Sequence, residues 1–252
     1  MKAPGWLDKT KILGFILARY KENGGFAMTP LLPATVEDTY YAVKILNFLD
    51  EPLPSKTPAY ISSLHWDEYF LPKNLYQLAV LYQEIGKALP KERLSVLIDT
   101  FLQREELSLE HLTFLIRLSG LFSFKKLKSR LCQKISLTQW QVLKQLFYLM
   151  HCAKECKLLL PKGLAPWIKR CQNGDGGFGF MPNTTSFLEN TYYALAILNW
   201  LNEQPLRPKA CLDFIRYCYL PHKGAFARSP GGVAFLESTY HALACLRLIK
   251  SF

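Results

Sequence analysis

The sequence lacks the features that mark membrane-spanning and exported proteins. Its longest stretch without Asp, Glu, Lys or Arg is the 14 residues from Asn23 to Val36, and this stretch contains two prolines. A transmembrane helix needs about 18 or more apolar residues, so none is expected. The apolar patch 12–18 is followed by Arg19 and Lys21 without a small-residue cleavage site, and we predict no signal peptide.

The sequence also lacks a recognisable cysteine framework. Its seven cysteines are odd in number and scattered, which favours a reducing compartment and a cytoplasmic location, with peripheral attachment to a membrane left open. His151, Cys152 and Cys156, and also Cys218 with His222, have spacings that suit metal ligands. No second pair with such spacing accompanies either group, so we predict buried structural cysteines and no metal site.

Motifs for nucleotide cofactors and for serine hydrolases are missing, and signals for β-strands are nearly absent. We therefore predict no cofactor, except Mg²⁺ where a bound ligand carries a diphosphate. What the sequence does have is apolar content: 50% of its 252 residues are hydrophobic and 13% are aromatic. This is enough for a large core, and we predict one domain over residues 1–252.

The positive charge is concentrated in one segment. Residues 121–170 contain eleven Lys or Arg and a single acid, Glu155, whereas the remaining 202 residues contain 20 basic and 19 acidic residues. The segment is either a solvated helical face or a surface for an anionic membrane, an acidic partner or a diphosphate-bearing ligand. Nucleic acid is not predicted as a partner, because no recognised binding motif accompanies the charge.

Three segments of the chain repeat one another. They read GGFAMTPLLPATVEDTYYAVKIL (24–46), GGFGFMPNTTSFLENTYYALAIL (176–198) and GAFARSPGGVAFLESTYHALACL (224–246). We refer to them as repeats 1, 2 and 3. Repeats 2 and 3 are 48 residues apart and repeats 1 and 2 are 152 apart, about three times as far. A period of this length is typical of stacked supersecondary units.

The apolar periodicity between the repeats predicts further helices. The pattern and the positions of the prolines indicate twelve helices, paired as six hairpins in an inner and an outer ring. Spacings typical of a capping box place helix starts at Ser136 with Gln139 and at Ser186 with Glu189. The predicted ranges are 7–21, 35–49, 56–64, 73–86, 91–103, 108–121, 124–134, 137–151, 161–171, 186–201, 207–217 and 234–249.

QNGDGGFGF (172–180) followed by LENTYYALAIL (188–198) resembles the repeat shared by the β subunits of protein prenyltransferases, squalene cyclases and related class II terpene cyclases. The resemblance implies an all-α fold, an α/α toroid of about six helical hairpins. It further implies a central apolar cavity, lined by the inner helices, that holds an isoprenoid chain. The clear repeats cover about 70 residues, so the resemblance defines the fold better than the activity.

A second resemblance concerns the acids of repeat 1. Thr35-Val36-Glu37-Asp38-Thr39 is similar to the Asp-x-Asp-Asp-Thr motif of class II cyclases, with Thr35 in place of the first Asp and Glu37 in place of the middle one. In that family the middle acid protonates the substrate. The resemblance therefore implies Glu37 as the catalytic proton donor and Asp38 as its catalytic partner. Two adjacent carboxyl groups in an apolar cavity also favour a raised pKa.

The zinc site of protein prenyltransferases is not matched. At the positions of that family's Asp, Cys and His ligands this sequence has Glu189, Thr191 and Ser238. Without thiolate and imidazole the site cannot bind zinc in the family's way, so protein prenylation is disfavoured. His241 lies four residues after Glu237, where an acid–base dyad and an interior histidine are both open interpretations.

Aromatic residues are frequent on the predicted inner helices. Core packing accounts for most of them, but aromatic faces could also line a cavity and stabilise cationic intermediates. The residues on or near inner helices are Tyr40, Tyr41, Tyr192, Tyr193, Tyr240, Trp66, Phe114, Trp140, Phe147 and Trp200. The predicted ligand-binding set is Tyr40, Tyr41, Glu189, Tyr192, Tyr193, Glu237, Tyr240, His241 and Trp140.

Two hypotheses of function follow. In the first, the toroid binds an isoprenoid or similar long apolar ligand and protonates it as a divergent terpene cyclase would. In the second, the toroid is a non-catalytic lipid-binding or protein-interaction module. The sequence leaves open whether the protein is an enzyme; an enzyme of this kind would be terpene cyclase-like or prenyltransferase-like.

Overall fold

The computed structural model describes residues 4–69, 71–104, 106–137 and 140–249. All twelve predicted helices are found there. They are α1 (Lys9–Leu17), α2 (Val36–Leu49), α3 (Thr57–Ser63), α4 (Pro72–Glu84), α5 (Lys91–Leu102), α6 (Leu109–Leu121), α7 (Lys125–Gln133), α8 (Leu143–Cys156), α9 (Leu164–Arg170), α10 (Leu188–Trp200), α11 (Pro208–Tyr217) and α12 (Leu236–Ile249).

The remaining regular structure is small. A 3₁₀ turn covers Trp66–Glu68, and two short strands, β1 (Tyr219–Leu220) just before repeat 3 and β2 (Ala225–Phe226) at its start, pair antiparallel. Among the helices of the described ranges, none combines the length and the hydropathy that crossing a bilayer requires. The prediction of an all-α protein is therefore confirmed.

Two predicted helix starts are wrong. Helix α8 begins at Leu143 and not at 137, and it extends to Cys156. Just before this helix, the backbone N–H of Gln141 donates to the side chain of Gln145. Gln139, the second residue of the predicted capping box, lies outside the described residues. Helix α10 begins at Leu188, because the Ser186 hydroxyl donates to Asp175 in the preceding turn and does not cap the helix.

The chain divides into two compact units, with the boundary after Tyr60 and again before Gly163. Unit 1 comprises the described residues 4–60 and 163–249, and unit 2 those of 61–162. All three repeats lie in unit 1. The single domain over 1–252 stays a prediction.

Each unit has two layers of helices. In unit 1, α12 packs between α2 and α10, and α1, α9 and α11 pack against this row from one layer further out. In unit 2, α6 packs between α4 and α8, and α7 contacts α5, α6 and α8. In unit 1 the inner row consists of the three helices that follow the repeat hairpins. This arrangement agrees with the predicted alternation of inner and outer helices.

Glycines at the start of the repeats allow neighbouring segments to approach closely. Gly24, Gly176 and Gly224 have φ of 95°, 89° and 65°, a region that side chains with a Cβ rarely adopt. A Cβ on them would overlap the backbone of Lys56, Ala210 and Lys11, respectively. Repeat 3 thereby docks on α1, the first helix of the chain, as repeat 2 docks on α11.

Candidate functional site

The start of each inner helix of unit 1 is fixed by the same hydrogen bond. The backbone N–H groups of Phe26, Phe178 and Phe226 donate to the Oγ1 atoms of Thr39, Thr191 and Thr239 at 3.0, 3.1 and 3.1 Å. The three phenylalanines are fully buried. An unpaired buried amide is costly, so the Phe–Thr bond ties each hairpin to the first turn of its helix. This is why the repeats keep the spacing from Phe to Thr.

Helices α2, α12 and α10 run side by side in register, which brings the tyrosines of the three repeats together. Tyr41 and Tyr240 have ring centroids 5.5 Å apart, and Tyr192 stacks on His241 at 5.0 Å with 21° between the planes. Such offset and tilted contacts are the favoured geometries of aromatic pairs. We call the group the aromatic cluster: Tyr40, Tyr41, Tyr192, Tyr193, Tyr240 and His241.

Carboxyl groups lie at the edge of the aromatic cluster where α2 and α12 begin. The Tyr41 hydroxyl donates to Oε1 of Glu237 at 2.7 Å. Burial, followed by the charge of Glu237 and the hydrogen bond to it, raises the pKa of Tyr41, and the charge of Glu37 acts in the same direction. Glu37, Tyr41 and Glu237 therefore form one electrostatically connected group at the helix starts. The tyrosine hydroxyl stays protonated there and stabilises the carboxylate.

Asp38 differs from Glu37 in its surroundings. The Thr35 hydroxyl donates to Oδ2 of Asp38 at 2.7 Å, and the Asp38 backbone N–H donates back to Thr35 Oγ1 at 3.0 Å. The Met28 backbone N–H also bonds the carboxyl group, and Arg19 lies close enough to lower its pKa. Burial and the charge of Glu37 outweigh these contacts, so the pKa of Asp38 is raised. Asp38 thus bonds the side chain of Thr35, the N-cap residue of α2, and is an acid that holds its proton more tightly than usual.

Glu189, the equivalent acid of repeat 2, is paired with an arginine. Arg228 donates from its guanidinium to the Glu189 carboxylate, and this hydrogen bond raises the pKa of Arg228. The same guanidinium lies 4.1 Å from the centroid of the Phe187 ring. The charges of Glu237 and Tyr193 also act on Arg228. One cation is therefore shared among the acids at this end of the cluster.

Sequence reasoning missed Arg228, although a signal for it exists. Two residues after the repeat phenylalanine, repeats 1 and 2 have the apolar residues Met28 and Phe180, whereas repeat 3 has Arg228. A charged residue at a position that is otherwise apolar in a repeat marks a local function or contact. The structure assigns it to the pairing with Glu189.

The arrangement offers little to a metal ion. Across the described residues, no group of three or more His, Cys, Asp and Glu is close enough to bind one. The Thr191 side chain, at the position of the prenyltransferase thiolate, bonds the Phe178 amide and the Phe187 carbonyl. Ser238 is buried. Of the cysteines weighed as ligands, Cys156 is bonded to Cys132, and Cys152 and Cys218 are buried thiols.

Two further predictions concern other parts of the chain. Trp140, expected on or near an inner helix, lies three residues before Leu143, the first residue of α8 in unit 2. Within the basic segment 121–170, four cations pair with acids: Lys128 with Glu155, Arg130 with Asp99, Lys144 with Glu110 and Lys169 with Glu203. Lys125 and Lys126 on α7 are exposed. Internal pairing thus reduces the charge that this segment presents to a partner.

Comparison with known proteins places this geometry in a family. The sequence matches the prenyltransferase alpha-alpha toroid domain over residues 4–67 and 107–252, which is most of the chain. The protein belongs to this family. Its α/α toroid fold class, expected from the repeats, is thereby confirmed. No curated protein matches the sequence.

Proposed function

We propose that the protein binds an isoprenoid or similar long apolar ligand against the aromatic cluster. The observation that carries this proposal is the Tyr41–Glu237 hydrogen bond at the edge of a group of six aromatic rings, with Glu37 beside it. Aromatic faces bind apolar chains and stabilise positive charge through cation–π contacts. The carboxylates of Glu189 and Glu237 at one end add a negative potential that also favours cationic intermediates.

The chemistry that fits these groups is protonation of an alkene, as in a class II terpene cyclase. The carboxyl proton of Glu37 adds to one alkene carbon, and the π electron pair forms the new C–H bond. The O–H pair remains on the carboxylate, and the neighbouring carbon becomes a carbocation that the tyrosine faces stabilise. Loss of a proton from the cyclised cation to the carboxylate restores the acid. The pKa of Asp38, next to Glu37, is raised by burial and by the charge of Glu37.

Asp38 assists Glu37 through charge, because the charge of Glu37 acts on the Asp38 carboxyl group. Its carboxyl group is held by Thr35 and by the Met28 amide, so it is directed toward the loop before α2. Two adjacent carboxyl groups cannot both ionise easily in a site of low polarity. Mg²⁺ enters this scheme only as the counter-ion of a ligand that carries a diphosphate. The carboxylates are already bonded to Tyr41 and Arg228 and do not converge on a metal.

The test is incubation of the full chain with linear prenyl alcohols, diphosphates and hydrocarbons of increasing length, followed by gas chromatography and mass spectrometry. We expect a cyclised product from the wild type and loss of that product in Glu37→Gln. The control is Glu51→Gln, which alters an exposed acid of the same unit and should form the product at the wild-type rate. Native mass spectrometry of the purified protein reports which apolar molecule is bound. If a ligand binds but wild type and Glu37→Gln both form no product from any substrate, the proposed protonation by Glu37 is wrong.

A second candidate, a non-catalytic ligand-binding toroid, is favoured by a specific observation. Three acids at the helix starts are each committed to a contact within the protein: Asp38 to Thr35, Glu237 to Tyr41 and Glu189 to Arg228. Such contacts stabilise the helix starts without any chemistry. This candidate predicts that Glu37→Gln leaves ligand affinity unchanged. It also predicts no product from either protein, so the product assay, made on wild type and Glu37→Gln, separates the two functions.

A further inference from the structure

The loops that connect each repeat hairpin to its inner helix share an unusual surface. We call residues 27–35, 179–187 and 227–235 the repeat loops. Leu31 is 95% exposed and Val233 is 70% exposed, although both are large apolar residues. Other exposed apolar side chains occur in all three loops: Met28, Leu32, Phe180, Met181 and Phe235. Single exposed apolar residues are ordinary, but a set that recurs in the same loop of each repeat indicates an interaction surface.

The repeat loops lie at the same end of unit 1. Each precedes one of the three adjacent inner helices α2, α12 and α10, and residues of the first turns contact one another across these helices, as Tyr41 does with Glu237. Direct bonds also fix the loops. The Leu188 N–H donates to the Arg228 carbonyl at 2.8 Å, and Arg19 Nε donates to the Met28 carbonyl at 3.0 Å. The exposed apolar side chains therefore belong to one face of the unit.

The charge within the repeat loops has one sign, whereas the first-turn acids Glu37, Asp38, Glu189 and Glu237 follow them directly in sequence. The repeat loops contain no Asp or Glu, and their only charged residue is Arg228. Next to them, Arg19 and Lys21 donate hydrogen bonds to the carbonyls of Met28 and Pro30. Cations at the base of exposed apolar side chains match a surface that is apolar inside and anionic outside. A lipid bilayer with anionic head groups has this profile.

A groove on the same face supports this match. It has a volume of about 960 Å³ and lies between α1, repeat loop 1 at Pro30 and repeat loop 3. Its apolar part includes Phe15, Leu220 and Val233, and its ionisable lining residues are all basic or histidine: Lys11, Arg19, His222 and Lys223. The groove thus combines an apolar floor with donors for an anionic group.

We propose that the repeat loops form a membrane-binding face. Leu31, Val233 and the pair Phe180–Met181 insert into the interfacial region of a bilayer, and the basic groove holds the phosphate of an anionic phospholipid. The proposal does not depend on which ligand the aromatic cluster binds or on whether Glu37 is catalytic. It assigns membrane contact to unit 1 and not to the basic segment 121–170.

The first test is sedimentation of the full chain with vesicles of phosphatidylcholine, with and without phosphatidylserine. We expect the wild type to bind the anionic vesicles and the double variant Leu31→Ser/Val233→Ser to bind them roughly tenfold or more weakly, because two inserted side chains are lost. The matched control is Val96→Ser/Leu159→Ser, which removes two equally exposed apolar side chains of unit 2. It should bind as the wild type does. Lys125→Gln/Lys126→Gln tests the basic segment in the same way.

A second measurement is independent of affinity. Leu31→Trp should give an additional fluorescence signal that shifts to shorter wavelength with anionic vesicles and is quenched by brominated lipid. The proposal is overturned if the wild type binds no vesicles, which would leave the face to a protein partner. It is equally overturned if the loop variant keeps full binding while Lys125→Gln/Lys126→Gln loses it, or if the unit 2 control loses as much as the loop variant.

Discussion

The hydroxyl of Tyr41 donates a 2.7 Å hydrogen bond to the carboxylate of Glu237, across 196 residues of sequence. The bond joins the first turn of α12 to α2, and so it connects the first repeat of the chain to the last. It also positions a carboxylate at the edge of the aromatic cluster. This hydrogen bond therefore contributes both to the packing of α2 against α12 and to the candidate chemistry, and its removal should affect both.

Substitution Tyr41→Phe removes this hydroxyl and keeps the ring. Glu237 then loses its donor, and because the carboxylate is partly open to water we expect the free energy of unfolding to fall by about 1 kcal/mol. The measurement is chemical denaturation followed by circular dichroism. Tyr217→Phe, which alters an exposed tyrosine of the same unit, is the control and should leave stability unchanged. Equal stability of Tyr41→Phe and wild type would mean that the bond contributes nothing.

The same pair of proteins gives a prediction about pH. The pKa of Tyr41 in the folded protein is raised above its unfolded value of about 10, chiefly by burial. The folded state therefore keeps a proton that the unfolded chain releases, and the stability associated with it is present below pH 10 and is lost as pH rises further. We expect wild-type stability to fall more steeply above pH 10 than that of Tyr41→Phe. Parallel curves for the two proteins would contradict the assignment.

Gly176 should be intolerant of a side chain. Its φ of 89° disfavours any residue with a Cβ, and that atom would overlap the backbone of Ala210 in α11. Gly231 has a similar φ of 76°, but nothing lies within 4 Å of where its Cβ would be. We expect Gly231→Ala to cost about 1 kcal/mol and Gly176→Ala at least 2 kcal/mol more, if it folds at all. Thermal unfolding of the two variants measures this difference, and equal losses would refute the close approach.

The sequence predicted the fold well because the fold repeats. The spacing from Phe to Thr is set by one hydrogen bond in each repeat, so the three copies place the starts of their inner helices to within two residues. Helix α8 has no such repeat, and its start was misplaced because polar residues before Leu143 resemble a capping box. The capping-box spacing at Ser186 also predicted a helix start that does not form, because the Ser186 hydroxyl bonds Asp175 and does not cap α10.

The candidate site was predicted less completely than the fold. The sequence indicated the first-turn acids and the tyrosines, because they recur at the same repeat positions. The first-turn acids were also expected to supply partners for the tyrosine hydroxyls, but the sequence did not indicate that the pair would be Glu237 and Tyr41 or that Arg228 would pair with Glu189, since both pairs join different repeats. Which acid faces the aromatic cluster depends on packing between helices. A periodic pattern gives the position of a residue on its own helix and leaves its partner undetermined.

The cysteines provide a last prediction, because the sequence suggested free thiols throughout. Five cysteines are free and buried among the described residues, whereas Cys132 and Cys156 form a disulfide within unit 2 with Cα atoms 5.8 Å apart. The bond closes a loop of 24 residues in sequence, for which restriction of the unfolded chain stabilises the protein by about 3 kcal/mol. Reductant should therefore lower the stability of the wild type to that of Cys132→Ser, and should not affect the variant. Alkylation of the denatured, unreduced protein should label five cysteines, and labelling of all seven would show that the bond is not formed.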